Sequence, residues 1–206
     1  NLCQKKNNMR ILAFTDLHAK ERAYEKLRKK AEQCDCVICA GDFTIFGKDW
    51  VKMGEKLSRL GKPVFLVHGN HESEEIINRI ARLHKNIIPV HKRVVRFNNI
   101  TIFGYGGLGF ISDAPEFEMV LKAADKQLRG AENLIFVTHQ PPYGTIVDFI
   151  YDEYVGNKSF TQFDRRYKPL IHICGHIEEN SFKREMLGRT LLINPGDEGR
   201  ILVIRP

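Results

Sequence analysis

Short apolar runs, each closed by Gly, Asp, Asn or His, punctuate the chain. They are MRILAFT (9–15), CVICAG (36–41), PVFLVHG (63–69), ITIFGYGG (100–107), NLIFVTH (133–139), LIHICGH (170–176), TLLINPG (190–196) and RILVIR (200–205). Unbroken Val/Ile/Leu/Phe stretches of this length predict strands buried on both faces. Between them apolar positions recur at helical spacing. In KERAYEKLRKKAEQ (20–33), Tyr24, Leu27 and Ala31 share one face while Lys and Arg take the other. Residues 49–61 and 73–85 follow the same pattern, the first stopping at Gly61. Further helices are predicted around 115–129 and 159–167. Alternation of strand and helix through the first hundred residues predicts βαβ units and a parallel core. The last two runs are separated only by the turn Asn194-Pro195-Gly196-Asp197, which predicts antiparallel strands late in the chain.

Composition narrows the class. The 206 residues are 43% hydrophobic and 28% charged, as expected of one globular domain. The chain has no run of 18 apolar residues, and so no candidate for a transmembrane helix or a membrane partner. Residues 1–8, NLCQKKNN, lack the apolar centre of a signal peptide and read as a leader or remnant ahead of a native start at Met9. Residues 9–206 then form a single domain. Five cysteines are an odd number, which fits a reduced cytoplasmic setting better than a disulfide framework. The net charge of +7 and pI of about 9.2 would suit an anionic substrate. The basic residues are scattered, however, and in helix 20–33 they are not interleaved with base-stacking aromatics, so a solvated face explains them. The oligomeric state is not encoded in any of these patterns.

Reactive residue types collect where the apolar runs end. Asp16 and His18 follow the first run and Asp42 the second; Asn70, His71 and Glu72 follow the third. His139 closes the run at 133–139, and His176, with Glu178 beyond, closes the run at 170–176. Ligands of open α/β sheets bind outside the carboxyl ends of the strands, so these residues should share one rim. Mixed imidazole, carboxylate and carbonyl donors suit divalent metals of the Mn/Fe/Zn group. On an extended segment residues i and i+2 point the same way, so Asp16 and His18 can share an ion.

The ordered motifs DLH, GD, GNHE, THQPPYG and GHIE resemble those of the calcineurin-like metallophosphoesterase superfamily, in its small single-domain prokaryotic form, across residues 10 to about 197. The resemblance implies an α/β fold, a four-layer α/β/β/α sandwich of two mixed β-sheets flanked by helices. It implies two divalent ions, Mn foremost with Fe, Zn, Ni or Co as alternatives. Asp16 and His18 would hold the first ion, Asp42 would bridge, and Asn70, His139 and His176 would hold the second. His71 would be the catalytic imidazole, with Glu72 orienting it, while a metal-bridging hydroxide hydrolyses a phosphate ester, most readily a phosphodiester.

The departure from the pattern is Glu178, where the motif G-H-x-H has a second His. Its i, i+2 relation to His176 can aim it at the first metal, where a carboxylate is a legitimate ligand. The charge of the site then falls by one; the other reading is a carboxylate turned to solvent. Two rival functions follow: a nuclease on DNA or RNA, and a phosphoesterase fold kept as a binding scaffold with a weakened site.

Other signals carry less. GYGGLG (104–109) matches a dinucleotide fingerprint but lacks the acidic residue after the next strand, and reads instead as a Gly-rich loop beside the metals. Cys34, Cys36 and Cys39 read as buried core, and His84 and His91 as surface residues. His68 and His172 read as supporting or packed. Residues 141–160 read as a flap offering Tyr143, Asn157 and Lys158 to the substrate.

Overall fold

The computed structural model describes residues 8–205, so nearly all of the expected leader lies outside the described residues. Strands β1 (Met9–Phe14), β2 (Cys36–Cys39), β3 (Val64–Leu66) and β4 (Ile87–Pro89) alternate with helices α1 (Glu21–Ala31), α2 (Trp50–Ser58) and α3 (Glu74–Leu83). The chain then enters a second sheet through β5 (Val94–Phe97), β6 (Ile100–Tyr105), α4 (Pro115–Arg129) and β7 (Leu134–Thr138). A small hairpin, β8 (Phe149–Ile150) and β9 (Glu153–Tyr154), precedes α5 (Lys158–Tyr167) and β10 (Ile171–Ile173). Strands β11 (Arg184–Leu187), β12 (Thr190–Ile193) and β13 (Arg200–Ile204) finish the chain.

The first sheet has the order β13-β1-β2-β3-β4 and the second β11-β12-β10-β7-β6-β5. Alternation of side chains across these strands builds three apolar layers. Ile11, Ala13, Ile38, Phe65 and Val67 of the first sheet meet Ile102, Ile135, Val137 and Ile173 of the second. Leu12, Phe14, Val37, Cys39 and Leu66 face the other way, onto Tyr24, Leu27, Met53, Leu57, Ile77 and Ile80 of the helices. On the far side Phe103, Phe117, Phe136, Phe160 and Phe163 join the second sheet to α4 and α5. Both faces of the central strands are therefore buried, which is why their sequences lack polar alternation. The result is the expected four-layer α/β/β/α sandwich.

Two connections differ from expectation. The turn at 194–199 does not make a hairpin. It carries the chain from the second sheet back to the first, where β13 pairs antiparallel with β1. The antiparallel partner of β12 is β11, whose half-exposed pattern gave no apolar run. The three cysteines at 34, 36 and 39 are free and buried, as expected of core residues.

Candidate metal centre

The ends of β1, β2, β3, β7 and β10 converge on one rim, but not by simple extension of the strands. Asp16, His18, Asp42 and His176 all have positive φ, at 52°, 44°, 51° and 70°. The alternation expected for Asp16 and His18, and for His176 and Glu178, therefore does not apply. The strands end and the backbone coils, and tight turns aim the side chains. Close packing holds these turns: a Cβ at Gly69 would clash with the Asp42 carboxylate, and one at Gly175 with the Thr15 hydroxyl.

Asp16 and Asp42 are each only 2% exposed. Asp16 accepts from the Thr15 hydroxyl at 2.8 Å and the His176 amide at 3.0 Å. Asp42 accepts the His71 amide at 2.8 Å, and its other oxygen lies 3.3 Å from His139 Nε2. His139 Nδ1 meets the Ala40 carbonyl at 2.9 Å, and His18 Nδ1 meets the Thr44 carbonyl at 3.2 Å. A carbonyl only accepts, so each Nδ1 carries the proton, and each Nε2 is the nitrogen left to bind. Those Nε2 atoms nevertheless face oxygens: Asn70 Oδ1 at 3.0 Å and Asp42 for His139, and Glu178 Oε1 at 3.4 Å and Asp16 Oδ1 at 4.0 Å for His18.

Such convergence of acceptors calls for a cation. Burial disfavours a charge on His139, but the Asp42 contact and the Asp16 and Asp42 carboxylates override it and push its pKa up to about 9. A cation at this point, proton or metal ion, would answer the same carboxylates. Burial raises the carboxyl of Asp16, whereas His139 outweighs burial at Asp42 and lowers it. Burial and then the charge of His139 hold His176 down at about 4. Its Nε2 is buried with no hydrogen-bond partner among the described residues, as expected of a free lone pair. The donor set, the orphaned nitrogen and the surplus of acceptors all fit divalent cations. Two groups of donor atoms, His18/Asp42/His71 and Asp16/Asp42/His139, each lie within 4.8 Å of one another and share Asp42.

Several expectations need correction. Glu72 does not touch the His71 ring. Its buried carboxylate accepts from the amides of Asp42 (3.0 Å), Gly69 (3.2 Å) and Thr44 (2.7 Å) and from the Thr44 hydroxyl (2.6 Å), clamping the β2 and β3 loops together. His71 instead takes the Phe46 amide at Nδ1, at 3.4 Å, and stacks on the Phe46 ring. Asn157 is buried and caps α5, accepting from Ser159 N at 2.9 Å, so it is not available to a substrate. His91 is buried, not a surface residue, and accepts the Gly106 amide at 2.8 Å. His84 sits half-buried at the end of α3. Tyr143 and Lys158 are exposed, with the ammonium 5.3 Å from the ring centroid. His172 is packed between Asp164, at 2.8 Å, and Thr138, at 2.9 Å. The Gly-rich loop does lie beside the site: the Gly107 amide donates to the His68 carbonyl at 2.8 Å.

Phe46, Phe110 and Lys20 were not picked out by sequence reasoning. The carbonyls of Ala40 and Thr44 had no signal at all, since any residue supplies one. Phe46 had a signal, an apolar pair (Ile45-Phe46) at a strand end where polar residues are expected.

The model of the family described as calcineurin-like phosphoesterase matches residues 9–179. An uncharacterized protein of Methanocaldococcus jannaschii, MJ1162, is 30% identical over 202 residues, covering 91% of this chain and 88% of its own. The fold is shared with TT1561 of Thermus thermophilus, with a TM-score of 0.75 and 20% identity over 93% of this chain and 91% of that one. It is shared too with the phosphopantetheinyl hydrolase PptH of Mycobacterium tuberculosis, with a TM-score of 0.64 and 14% identity over 93% and 90%.

Proposed function

The chain belongs to the calcineurin-like phosphoesterases, and from that premise we propose that it hydrolyses phosphate esters, phosphodiesters foremost, at a centre of two divalent metal ions. Asp16, His18 and Glu178 would hold one ion, Asn70, His139 and His176 the other, and Asp42 would serve both. The observation that carries this reading is the orientation of the two imidazoles: His18 and His139 each spend Nδ1 on a backbone carbonyl and turn Nε2 toward carboxylate oxygens. Holding the far nitrogen in this way fixes tautomer and ring plane for a ligating histidine. When bound, the ions supply Lewis-acid stabilisation of the phosphoryl oxygens and a nucleophilic water at neutral pH.

The rest of the chemistry belongs to the chain. His71 Nδ1 accepts from the Phe46 amide, so Nε2 carries the proton, and it faces the site 3.9 Å from Asp42 Oδ2. As water oxygen bonds to phosphorus and the ester P–O bond breaks, the Nε2–H group of His71 would donate a hydrogen bond to the departing oxygen; the proton given up by the attacking water is the one the alkoxide takes, by way of solvent, and His71 stays neutral. Glu72 keeps Asp42 and the Asn70–His71 turn in register through the β2 and β3 loops. A retained binding scaffold would have no reason to bury Asp16 and Asp42 with only histidines, and no Lys or Arg, paired to them among the described residues.

The test is metal content by elemental mass spectrometry after dialysis against Mn²⁺ and desalting, together with hydrolysis of bis(p-nitrophenyl) phosphate. Two ions per chain and hydrolysis that EDTA stops are expected, and Asp42→Asn should lose both. Hydrolysis that survives removal of every metal would overturn the reading.

A further inference from the structure

Two phenyl rings stand bare at opposite ends of the candidate centre. Phe46, on the loop after β2, is 77% exposed although its ring stacks on His71 at 4.0 Å and 17°. Phe110, on the loop after β6, is 66% exposed and its ring lies 4.5 Å from that of His176. A row of polar groups joins them. His71 lies 4.7 Å from His18, Asp42 Oδ2 lies between His71 Nε2 at 3.9 Å and His139 Nε2 at 3.3 Å, and His139 lies 5.1 Å from His176. One phenyl comes from each sheet, and the reacting phosphate would sit between them.

The exposure of Phe46 is not the accident of a loose loop. Phe46 has φ of 49°, a conformation that is strained for a bulky residue. The loop holds it there by pairing Ile45 with Lys48 and by the Gly47 amide donating to the Thr44 hydroxyl at 3.0 Å. Strain maintained by surrounding bonds is a mark of a working position. The imidazole covers one face of Phe46 and leaves the other open. An open phenyl face beside a phosphate site is a stacking platform for a flat ring carried by the same molecule as the phosphate.

We propose that Phe46 and Phe110 form an aromatic subsite, and that the substrate is a phosphate ester bearing a nucleobase or a similarly flat heteroaromatic group. This rests on the phosphoesterase reading and narrows it. A diester has a substituent on each side of phosphorus and can use both rings. A monoester product keeps one.

The experiment is calorimetric binding of AMP and of ribose 5-phosphate to the manganese-loaded protein, to Phe46→Ala and to Phe110→Ala. The two ligands share ribose and phosphate and differ in the base. Base–aromatic stacking predicts that AMP binds about tenfold tighter or more, and that the ratio of the two affinities falls toward one in at least one variant. Equal binding of both ligands to the parent protein, or a preference untouched in both variants, overturns the aromatic subsite and leaves the phosphoesterase reading standing. Absence of binding by either ligand, with no hydrolysis of bis(p-nitrophenyl) phosphate, overturns both. A short single-stranded oligonucleotide separates the sources of the base. If it binds no tighter than AMP, the substrate is a free nucleotide ester; if it binds far tighter, with steep salt dependence, the same subsite serves a nucleic-acid strand.

Discussion

Replacing Glu72 by glutamine removes a charge but scarcely any volume, and so isolates what the carboxylate does. Its two oxygens meet only donors: Asp42 N and Gly69 N on one side, Thr44 N and the Thr44 hydroxyl on the other. A glutamine can keep one side with its amide oxygen and must turn its NH₂ to the other. Turning the NH₂ toward Thr44 is the lesser loss, because the hydroxyl can rotate and accept. The Thr44 amide cannot, and it is left buried against a second donor. An orphaned buried donor costs about 1–3 kcal/mol, and the bonds that remain lose their charge assistance, about another 1 kcal/mol. Against this, burial works on the carboxylate itself and raises its pKa, so removing the charge recovers part of the loss. The net expectation is about 2–3 kcal/mol of destabilisation. In a chain of this size that is a fall in Tm of roughly 5–10 °C. Urea unfolding in EDTA, where no metal linkage contributes, measures it. A change below about 0.5 kcal/mol would refute the clamp.

His91 should give the chain a pH-dependent stability. Burial first, then His68, Lys92 and Arg93, hold its pKa down at about 3, whereas an unfolded imidazole titrates near 6.5. The unfolded state binds a proton that the folded state refuses, so stability falls as pH drops from about 6.5 toward 3. Between pH 7 and pH 5 the loss is about 2 kcal/mol, and urea unfolding of His91→Asn should show a fall smaller by that amount. Cys34, Cys36, Cys39 and Cys174 are buried, and burial pushes their thiols up, Cys36 to about 12. Ellman's reagent should therefore leave all four untouched in the native protein and modify them in guanidinium. Phe136 is fully buried and stacks on Phe163 at 4.0 Å. Phe136→Ala should cost about 3–5 kcal/mol in denaturant unfolding; a loss under about 1 kcal/mol would mean the aromatic layer is loosely packed.

The eight apolar runs were legible because strands covered on both faces cannot hide polar residues in alternation. Strands β4, β5 and β11 escaped notice for the same reason in reverse. They are short or half-exposed, and VVRF and REML carry charges that interrupt any run. Rim residues were legible as a set, since Asp, Asn and His after apolar runs stand out whatever turn follows. How each one is aimed was not legible. Strand alternation makes Asp16 and His18 neighbours on one face, whereas the positive φ values there belong to a coil that needs the Gly41 and Asp42 carbonyls to accept the amides of Asp16 and His18. His91 looked like one more polar residue in a basic stretch. It is buried by the Gly-rich loop across the sheet, a contact that local sequence does not encode.

Glu178 shows the same limit most sharply. As the first residue of the short turn Glu178–Asn180, it is not on the β10 strand at all, and its side chain is 52% exposed. Even so, one oxygen reaches to 3.4 Å from His18 Nε2 while the other takes Lys20 at 2.9 Å. Lys20 also reaches Asp197 at 3.2 Å. Burial disfavours its charge, but the hydrogen bonds and charges of these two carboxylates override that and raise its pKa. Counted alone, a glutamate where the family motif has histidine makes the proposed site more negative by one. Lys20 lies between Glu178 and Asp197, so it offsets one of two carboxylates and the trio stays negative by one. One carboxylate oxygen thus faces His18 and the other an ammonium that Glu178 shares with Asp197. Half-exposed, with His18 on one side and Lys20 on the other, Glu178 adds a negative charge at the rim that Lys20, shared with Asp197, offsets only in part.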